Sequence, residues 1–151
     1  MASASFTHRY FINADVNKIY SYMSDPNSYI GLSPLVTAVN NIQRLPESDV
    51  PTIQYEAVET FHFLGFIRYP NHIKVRLLLT KPNVQLVHQV ESIPNVRVRF
   101  TFDFQPEGSG TWINESVVVT MPLPLKGYVV SQAKSVQQSR AQILKTRMEV
   151  G

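Results

Sequence analysis

Pairs of proline and asparagine recur every 12 residues in the middle of the chain, at Pro70-Asn71, Pro82-Asn83 and Pro94-Asn95. Proline presets φ for the second position of a turn, and asparagine tolerates the third. Between the pairs, apolar and polar residues alternate, most clearly from Val96 to Phe104. Alternation with period two is typical of strands with one buried face. The middle of the chain is therefore predicted to form an antiparallel meander.

The same alternation predicts four more strands outside the meander, which makes seven in all. Residues 64 to 71 are expected to hold a turn, a bulge or both, because Gly65 and Pro70 interrupt the pattern. A solenoid of repeats is the alternative, but the strands share no residue identity beyond the turn pairs. The four further strands are Ser5 to Ile12, Val36 to Leu45, Ile53 to Phe63 and Thr111 to Met121.

Helical periodicity is confined to two places. Asp15 precedes an apolar stripe that begins at Val16, and Asp25-Pro26 then starts a second short helix that ends before Pro34. A third, long helix runs from Leu125 to about Glu149, roughly 37 Å at about 1.5 Å per residue. Its apolar residues fall in one arc, which includes Leu125, Val129, Ala133, Val136, Ile143, Leu144 and Met148.

The order of elements is one strand, two short helices, six strands and one long helix. Together with FINADVNKIYSYMSDPNSY at 11 to 29 and GSGTWINE at 108 to 115, this order resembles the helix-grip superfamily. That superfamily includes START lipid-transfer domains, birch-pollen-allergen-like proteins and polyketide cyclases, and the polyketide cyclase/dehydrase-like branch looks closest. The resemblance covers residues 1–151 as one domain. It implies an α+β fold in which a curved seven-stranded antiparallel sheet wraps the C-terminal helix and leaves a cavity.

Composition narrows the class of protein and its location. The absence of cysteine excludes disulfides, thiolate nucleophiles and iron–sulfur clusters, and it permits a reducing cytoplasm. No apolar run is long enough for a signal peptide or a membrane span. We therefore expect a soluble, cytoplasmic protein without integral membrane association.

The net charge of +3 comes from the C-terminal segment. Five spaced cations on a helix are more typical of a solvated face than of a nucleic-acid interface, so no nucleic acid is expected as a partner. These cations are Lys126, Lys134, Arg140, Lys145 and Arg147.

Known catalytic signatures are missing from the sequence. It contains no glycine-rich phosphate loop, no G-x-S-x-G and no H-E-x-x-H. The four histidines, His8, His62, His72 and His88, fall on separate predicted strands. We therefore predict no metal site and no cofactor.

Five polar residues share a strand face with large apolar neighbours two positions away, and we expect them to point inward. An inward carboxylate needs a donor or a wet cavity, because burying it alone is costly. Phenylalanines on the same faces would supply apolar walls. The predicted ligand-binding residues on the strands are Tyr10, Tyr55, Glu59, His88 and Glu115, with Phe61, Phe100 and Phe102.

One donor comes from the long helix, where Arg140 falls near the middle of the apolar arc. Glu115 lies about 20 Å before the end of its strand, and Arg140 lies about 23 Å after the start of the helix. If the helix folds back along that strand, the two residues meet. The pair is either a structural ion pair or a polar anchor for the head group of a ligand.

These residues predict binding or transport of a small hydrophobic or lipid-like ligand between the sheet and the C-terminal helix. An enzyme of the cyclase, aromatase or dehydratase type is a second hypothesis, with His88, Tyr10 or Glu115 as acid or base. A third is a ligand-free protein-interaction module that uses the basic helix. Homo-oligomers are possible, and no particular sheet edge is marked for pairing.

Overall fold

The computed structural model describes residues 1–46, 49–63, 67–93 and 95–150, and it describes the side chains of these residues except those of 61–63 and 67–69. Its strands form one antiparallel sheet in the order β1-β7-β6-β5-β4-β3-β2. The predicted α+β class and the seven strands are confirmed. The strands are β1 (Ala2–Ile12), β2 (Val36–Leu45), β3 (Thr52–Phe63), β4 (Ile67–Lys81), β5 (Gln85–Ser92), β6 (Val96–Glu107) and β7 (Gly110–Met121).

The second proline–asparagine pair marks a turn and the first does not, while Pro94 of the third pair lies outside the described residues. Asn83 and Asn95 have φ of 61° and 59°, the left-handed conformation that asparagine tolerates. The predicted turn at Pro70-Asn71 is wrong, because both residues lie inside β4, which begins at Ile67. Gly65, the other residue on which the expected turn or bulge over 64 to 71 rested, lies outside the described residues. The pairing of β4 with β5 starts only at Lys74, which lies opposite Glu91. At Pro70 only β3 runs beside the strand, so the missing N–H of proline breaks no ladder on the β5 side.

The two short helices form as their caps predict. Helix α1 spans Val16–Met23, and the carboxylate of Asp15 accepts a hydrogen bond from the backbone N–H of Asn17 at 2.7 Å. A 3₁₀ helix spans Pro26–Tyr29, with Asp25 as its cap. The apolar side of α1 is buried against the sheet, where the rings of Tyr20 and Phe104 lie 5.5 Å apart.

The long helix, α2 (Lys126–Glu149), is buried along only half of its length. Its buried residues begin with Gln137 at the middle of the helix, and the others lie in the C-terminal half. The aliphatic residues from Leu125, just before the helix, to Val136 are only partly buried. The apolar arc predicted from the sequence left out the buried Gln137, and its first half borders a cavity rather than packed side chains.

Several cations of the C-terminal segment attach α2 to the rest of the molecule. Arg147 donates hydrogen bonds to the Tyr22 hydroxyl at 2.7 Å and to the carbonyl of Ser28 at 3.1 Å. Lys145 donates to the carbonyl of Phe11 at 3.2 Å. These contacts correct the expectation that Lys145 and Arg147 belong to a solvated basic face, whereas the burial of Arg140 was predicted from its place in the apolar arc. Within the described ranges, no helix has the length and apolarity that crossing a bilayer requires.

Candidate functional site

A cavity of about 840 Å³ lies between the sheet and the N-terminal half of α2. Strands β3 to β6 and the first residue of β2 supply one wall, and Leu125 with the residues of α2 as far as Arg140 supplies the opposite wall. Most side chains that face the cavity are apolar. The apolar lining residues include Val36, Ala57, Ile73, Val75, Val90, Val96, Val98, Phe100, Leu125, Val129, Ala133 and Val136.

The size of the side chains on α2 explains where the cavity lies. The N-terminal half presents Val129, Ala133 and Val136 to the cavity, and such short side chains do not fill the space above a strand wall that is itself rich in valine. In the C-terminal half, Leu144 and Met148 pack into the core with the phenylalanines of β6. The helix therefore closes the core at one end and leaves space at the other.

The cavity reaches the surface near the start of α2. Two of its lining residues are large, apolar and exposed: Ile93, in the connection between β5 and β6, is 69% exposed, and Tyr128, in the first turn of α2, is 64% exposed. A lining residue that is also exposed marks an opening. The mouth of the cavity is therefore defined by Ile93 and Tyr128.

The predicted pair of Glu115 and Arg140 is confirmed, and it lies at the inner end of the cavity. The Arg140 Nη2 atom donates to Glu115 Oε2 at 2.6 Å, and the side chains are 4% and 0% exposed. The amide of Gln137 donates to the backbone carbonyl of Glu115 at 3.1 Å. Arg140 lines the cavity, whereas Glu115 lies behind it.

Burial and mutual attraction act in opposite directions on this pair. Burial raises the pKa of Glu115 above its usual value, although the Arg140 guanidinium offsets part of the effect. Burial alone would lower the pKa of Arg140, but the Glu115 carboxylate raises it above its usual value. The guanidinium also lies over two aromatic rings, 4.5 Å from the centroid of Phe100 and 5.3 Å from that of Phe102. These cation–π contacts add to the attraction that keeps Arg140 charged.

Four buried polar atoms around this pair have no hydrogen-bond partner among the described protein atoms. They are Tyr10 Oη, His88 Nε2, Glu115 Oε1 and Arg140 Nε. Most buried polar atoms in folded proteins are hydrogen-bonded, so a group of unpaired ones calls for an explanation. Of the four residues, His88 and Arg140 line the cavity, so its inner end retains unused capacity for hydrogen bonds.

His88 is neutral at neutral pH because of where it lies. Its ring packs edge-on against Tyr29, with centroids 4.4 Å apart, and it lines the cavity. Burial, assisted by the charge of Arg140, lowers the pKa of His88 from 6.5 to about 3. Tyr55 lines the cavity as well, and burial raises the pKa of its hydroxyl. Both side chains offer uncharged polar groups.

A second polar group, made of Glu59, Asn71 and Ser92, also lines the cavity. Glu59 and Asn71 are paired in register across β3 and β4, and the Asn71 amide donates to the Ser92 hydroxyl at 3.0 Å. Burial raises the pKa of Glu59. The cavity therefore has a carboxyl group of its own, separate from Glu115.

Comparison with known proteins identifies the fold. No family model matches the chain, and no curated protein matches it. Among solved structures, the Zhui aromatase/cyclase of Streptomyces sp. R1128 is similar at a TM-score of 0.77 and 11% identity, covering 98% of this chain and 94% of that one. A START superfamily protein of Mycobacterium smegmatis is similar at 0.73 and 19% identity, covering 96% and 97%. The chain has the helix-grip fold.

A longer protein contains the same helix-grip arrangement. The di-domain ARO/CYC StfQ from the steffimycin biosynthetic pathway is similar at a TM-score of 0.71 and 12% identity, over 97% of this chain and 51% of StfQ. The chain thus spans about half the length of that protein. Identities of 11% to 19% leave the resemblance at the level of the fold.

The helix-grip cavity collects five of the nine predicted site residues. Three others lie outside its lining: Glu115, buried behind Arg140, Phe102, buried in the packed core, and Tyr10, partly buried on the edge strand β1, where its ring stacks on His8 at 5.2 Å. The alternating pattern correctly predicted that all three side chains point inward. It does not show which of them are separated from the cavity by other side chains. Phe61 lies in β3, and its side chain is outside the described ones. The five predicted residues that line the cavity are Tyr55, Glu59, His88, Phe100 and Arg140.

Sequence reasoning missed part of the site. The sequence predicts a turn at Asn71, although this residue lies two positions before Ile73 and so meets the same criterion for an inward side chain that identified Glu59. Gln137 was also missed, because a polar residue beside an apolar arc looks solvated. Within the described part of the chain, no three histidine, aspartate or glutamate residues are grouped as metal ligands would be.

Proposed function

We propose that residues 1–151 form one helix-grip domain that binds a small, largely apolar ligand between the sheet and the N-terminal half of α2. The observation that carries this proposal is the cavity of about 840 Å³ with a mainly apolar lining and a few convergent polar groups. Ligand sites typically enclose roughly 300–1,000 Å³ and have this kind of lining. The opening beside Ile93 and Tyr128 supplies an entry route, which also suits transport of a lipid-like molecule.

The binding proposal is tested by filling the cavity from the helix. In the test variant, Ala133→Trp and Val136→Trp are combined, because both residues line the cavity. In the control variant, Ser135→Trp and Gln138→Trp place the same bulk on the exposed side of α2. The probe is 1-aminoanthracene, an uncharged fluorophore, and organic extracts of the purified protein are examined by mass spectrometry.

We expect the parent and the control to take up the probe with similar affinity and the test variant to bind it at least about tenfold more weakly, because the tryptophans occupy the same space. Equal binding by all three proteins would locate the site elsewhere. A parent protein that takes up no probe and yields no apolar molecule on extraction would contradict the proposal and favour the ligand-free interaction module. In that module, the exposed Lys126 and Lys134 would be the contacts that α2 offers.

A second candidate function is acid–base catalysis on a polyketide-like substrate. The observation in its favour is that Glu59, whose pKa burial raises, lines the same cavity as His88 and Tyr55. A carboxyl with a raised pKa suits proton transfer near neutral pH. Of His88, Tyr10 and Glu115, the acid or base candidates that the sequence suggests, His88 alone lines the cavity. Turnover of a poly-ketone that Glu59→Gln abolishes without weakening binding would favour catalysis, and binding without turnover would favour the binding role.

A further inference from the structure

The cavity lacks a surplus of positive charge. Among the described lining residues, Arg140 is the sole cation, and Glu115 takes up its charge from the far side at 2.6 Å. The side chain of Glu115 is fully buried and does not line the cavity. The two charges cancel within the wall, so a ligand faces a balanced pair rather than a free guanidinium.

The other polar groups that face the cavity supply no positive charge that could bind an anion. His88 is neutral, Tyr55 keeps its proton because burial raises its pKa, and Glu59 is either neutral or negative. An ionised carboxylate from a ligand would therefore add an uncompensated charge to a mainly apolar space. Such a charge is costly to bury without a partner.

Arg140 keeps donors for an uncharged ligand. A guanidinium has five N–H donors, and the described side-chain hydrogen bonds of Arg140 consist of one, from Nη2 to Glu115. His88 and Tyr55 also line the cavity. Neutral acceptors such as ketone, ester or hydroxyl oxygens can use these groups without bringing a charge.

We propose that the cavity selects uncharged ligands over carboxylates of the same shape, and that Glu115 sets this selectivity by neutralising Arg140 from behind. The inference rests on the proposed binding function and narrows its ligand class to apolar molecules with neutral oxygen groups. Glu115 acts through Arg140 and is a positioning and charge-setting residue rather than a ligand contact. Removing its charge should convert Arg140 into an anion site.

The test uses two probes of nearly equal shape, 2-undecanone and decanoate. The carbonyl carbon carries a methyl group in 2-undecanone and a negatively charged oxygen in decanoate. Each displaces 1-aminoanthracene at pH 7.5 from the parent, from Glu115→Gln and from Glu56→Gln. Glu56 is the matched control, since it pairs with His72 in a partly exposed position on β3 and its change alters the net charge equally. A preference of the parent for the ketone is expected of any apolar cavity, so the decisive quantity is the change of that preference.

In Glu115→Gln, we expect the ratio of decanoate affinity to 2-undecanone affinity to rise at least about tenfold over the parent, which corresponds to about 1.4 kcal/mol. In Glu56→Gln, the ratio should stay within about twofold of the parent, because solvent screens that charge. An unchanged ratio in Glu115→Gln, or an equal rise in both variants, would overturn the proposal. A parent that prefers decanoate would overturn it as well.

Two further measurements keep the test decisive if Glu115→Gln is unstable. Decanoate should then raise the melting temperature of this variant more than 2-undecanone does, because the carboxylate replaces the missing charge. Arg140→Gln makes the opposite change and should gain affinity for decylamine relative to 2-undecanone, while no gain would overturn the proposal. If the parent binds no probe of any charge, the binding function itself has failed, a result distinct from binding without charge selection.

Discussion

Arg140 and Glu115 show how one buried pair can serve both the fold and the cavity. The pair joins α2 to β7, and its arginine forms part of the wall that a ligand would touch. Both side chains are almost completely removed from water. The effect of replacing such buried residues can be measured as a change in the free energy of unfolding.

The first prediction concerns the coupling of this pair. Replacing either Glu115 or Arg140 alone with Met should lower the free energy of unfolding by roughly 3–5 kcal/mol, because the remaining charge is stranded in the core. Replacing both should cost far less than the sum. Denaturant unfolding of the parent, both single variants and the double variant completes the cycle. Additive losses would mean that the two charges do not interact.

The second prediction concerns pH and His88. Because burial lowers the pKa of His88 from 6.5 to about 3, the unfolded chain takes up a proton below about pH 6.5 and the folded chain does not. The free energy of unfolding should therefore fall as pH drops through this window, by about 2 kcal/mol between pH 7.5 and pH 5 from this residue.

The measurement for His88 is denaturant unfolding at both pH values in the parent and in His88→Gln. The other titrating groups, Glu59 among them, are common to both proteins and cancel in the comparison. We expect the parent to lose about 2 kcal/mol more than the variant over this range. Identical losses in the two proteins would show that the folded state protonates His88 as readily as the unfolded chain does.

At the scale of elements, α2 divides into a part that packs and a part that borders space. Leu144 is completely buried, whereas Val129 is partly buried and lines the cavity. The same kind of truncation should therefore have different effects at the two ends of one helix. The difference depends on neighbours rather than on the residue type.

The third prediction compares these two positions. Leu144→Ala should lower the free energy of unfolding by about 2–5 kcal/mol, because it creates a hole in a packed core. Val129→Ala should cost less than about 1 kcal/mol, since it enlarges a space that already exists. Chemical denaturation measures both. A large loss at Val129 would mean that the N-terminal half of α2 packs tightly against the sheet.

At the scale of the whole molecule, the sheet depends on α2 for cover. The core joins residues from most of the strands, α1 and the C-terminal half of α2 into one cluster. A sheet with one apolar face must bury that face against another element. Removing α2 therefore exposes the core rather than trimming an end.

The fourth prediction is that deletion of residues 125–151 abolishes cooperative unfolding. The sheet face would lose the cover of Leu144, Met148 and the Arg140 ion pair together. Scanning calorimetry of the truncated chain should show no cooperative transition, whereas the parent should show one. A truncated chain that still melts in a sharp transition would mean that the strands and α1 form a stable core without α2.

Local chemistry was sufficient to predict much of this helix-grip fold. Asp15 and Asp25 cap helices where their side chains predict, and alternation found the inward faces of the strands. The prediction failed at Pro70, because whether a proline ends a strand depends on which neighbour runs beside it. That neighbour belongs to the tertiary structure.

The sequence by itself determined which side of each element turns inward, including Glu115 and Arg140, because periodicity is a property of the local chain. Only the tertiary structure decided how far that inward space is filled. Val129 and Leu144 occupy the same arc of α2, yet one borders the cavity and the other lies in the core. The side chains of the helix and of the sheet together fill the space between these two elements. The spacing of residues along one element therefore does not determine whether that space is filled.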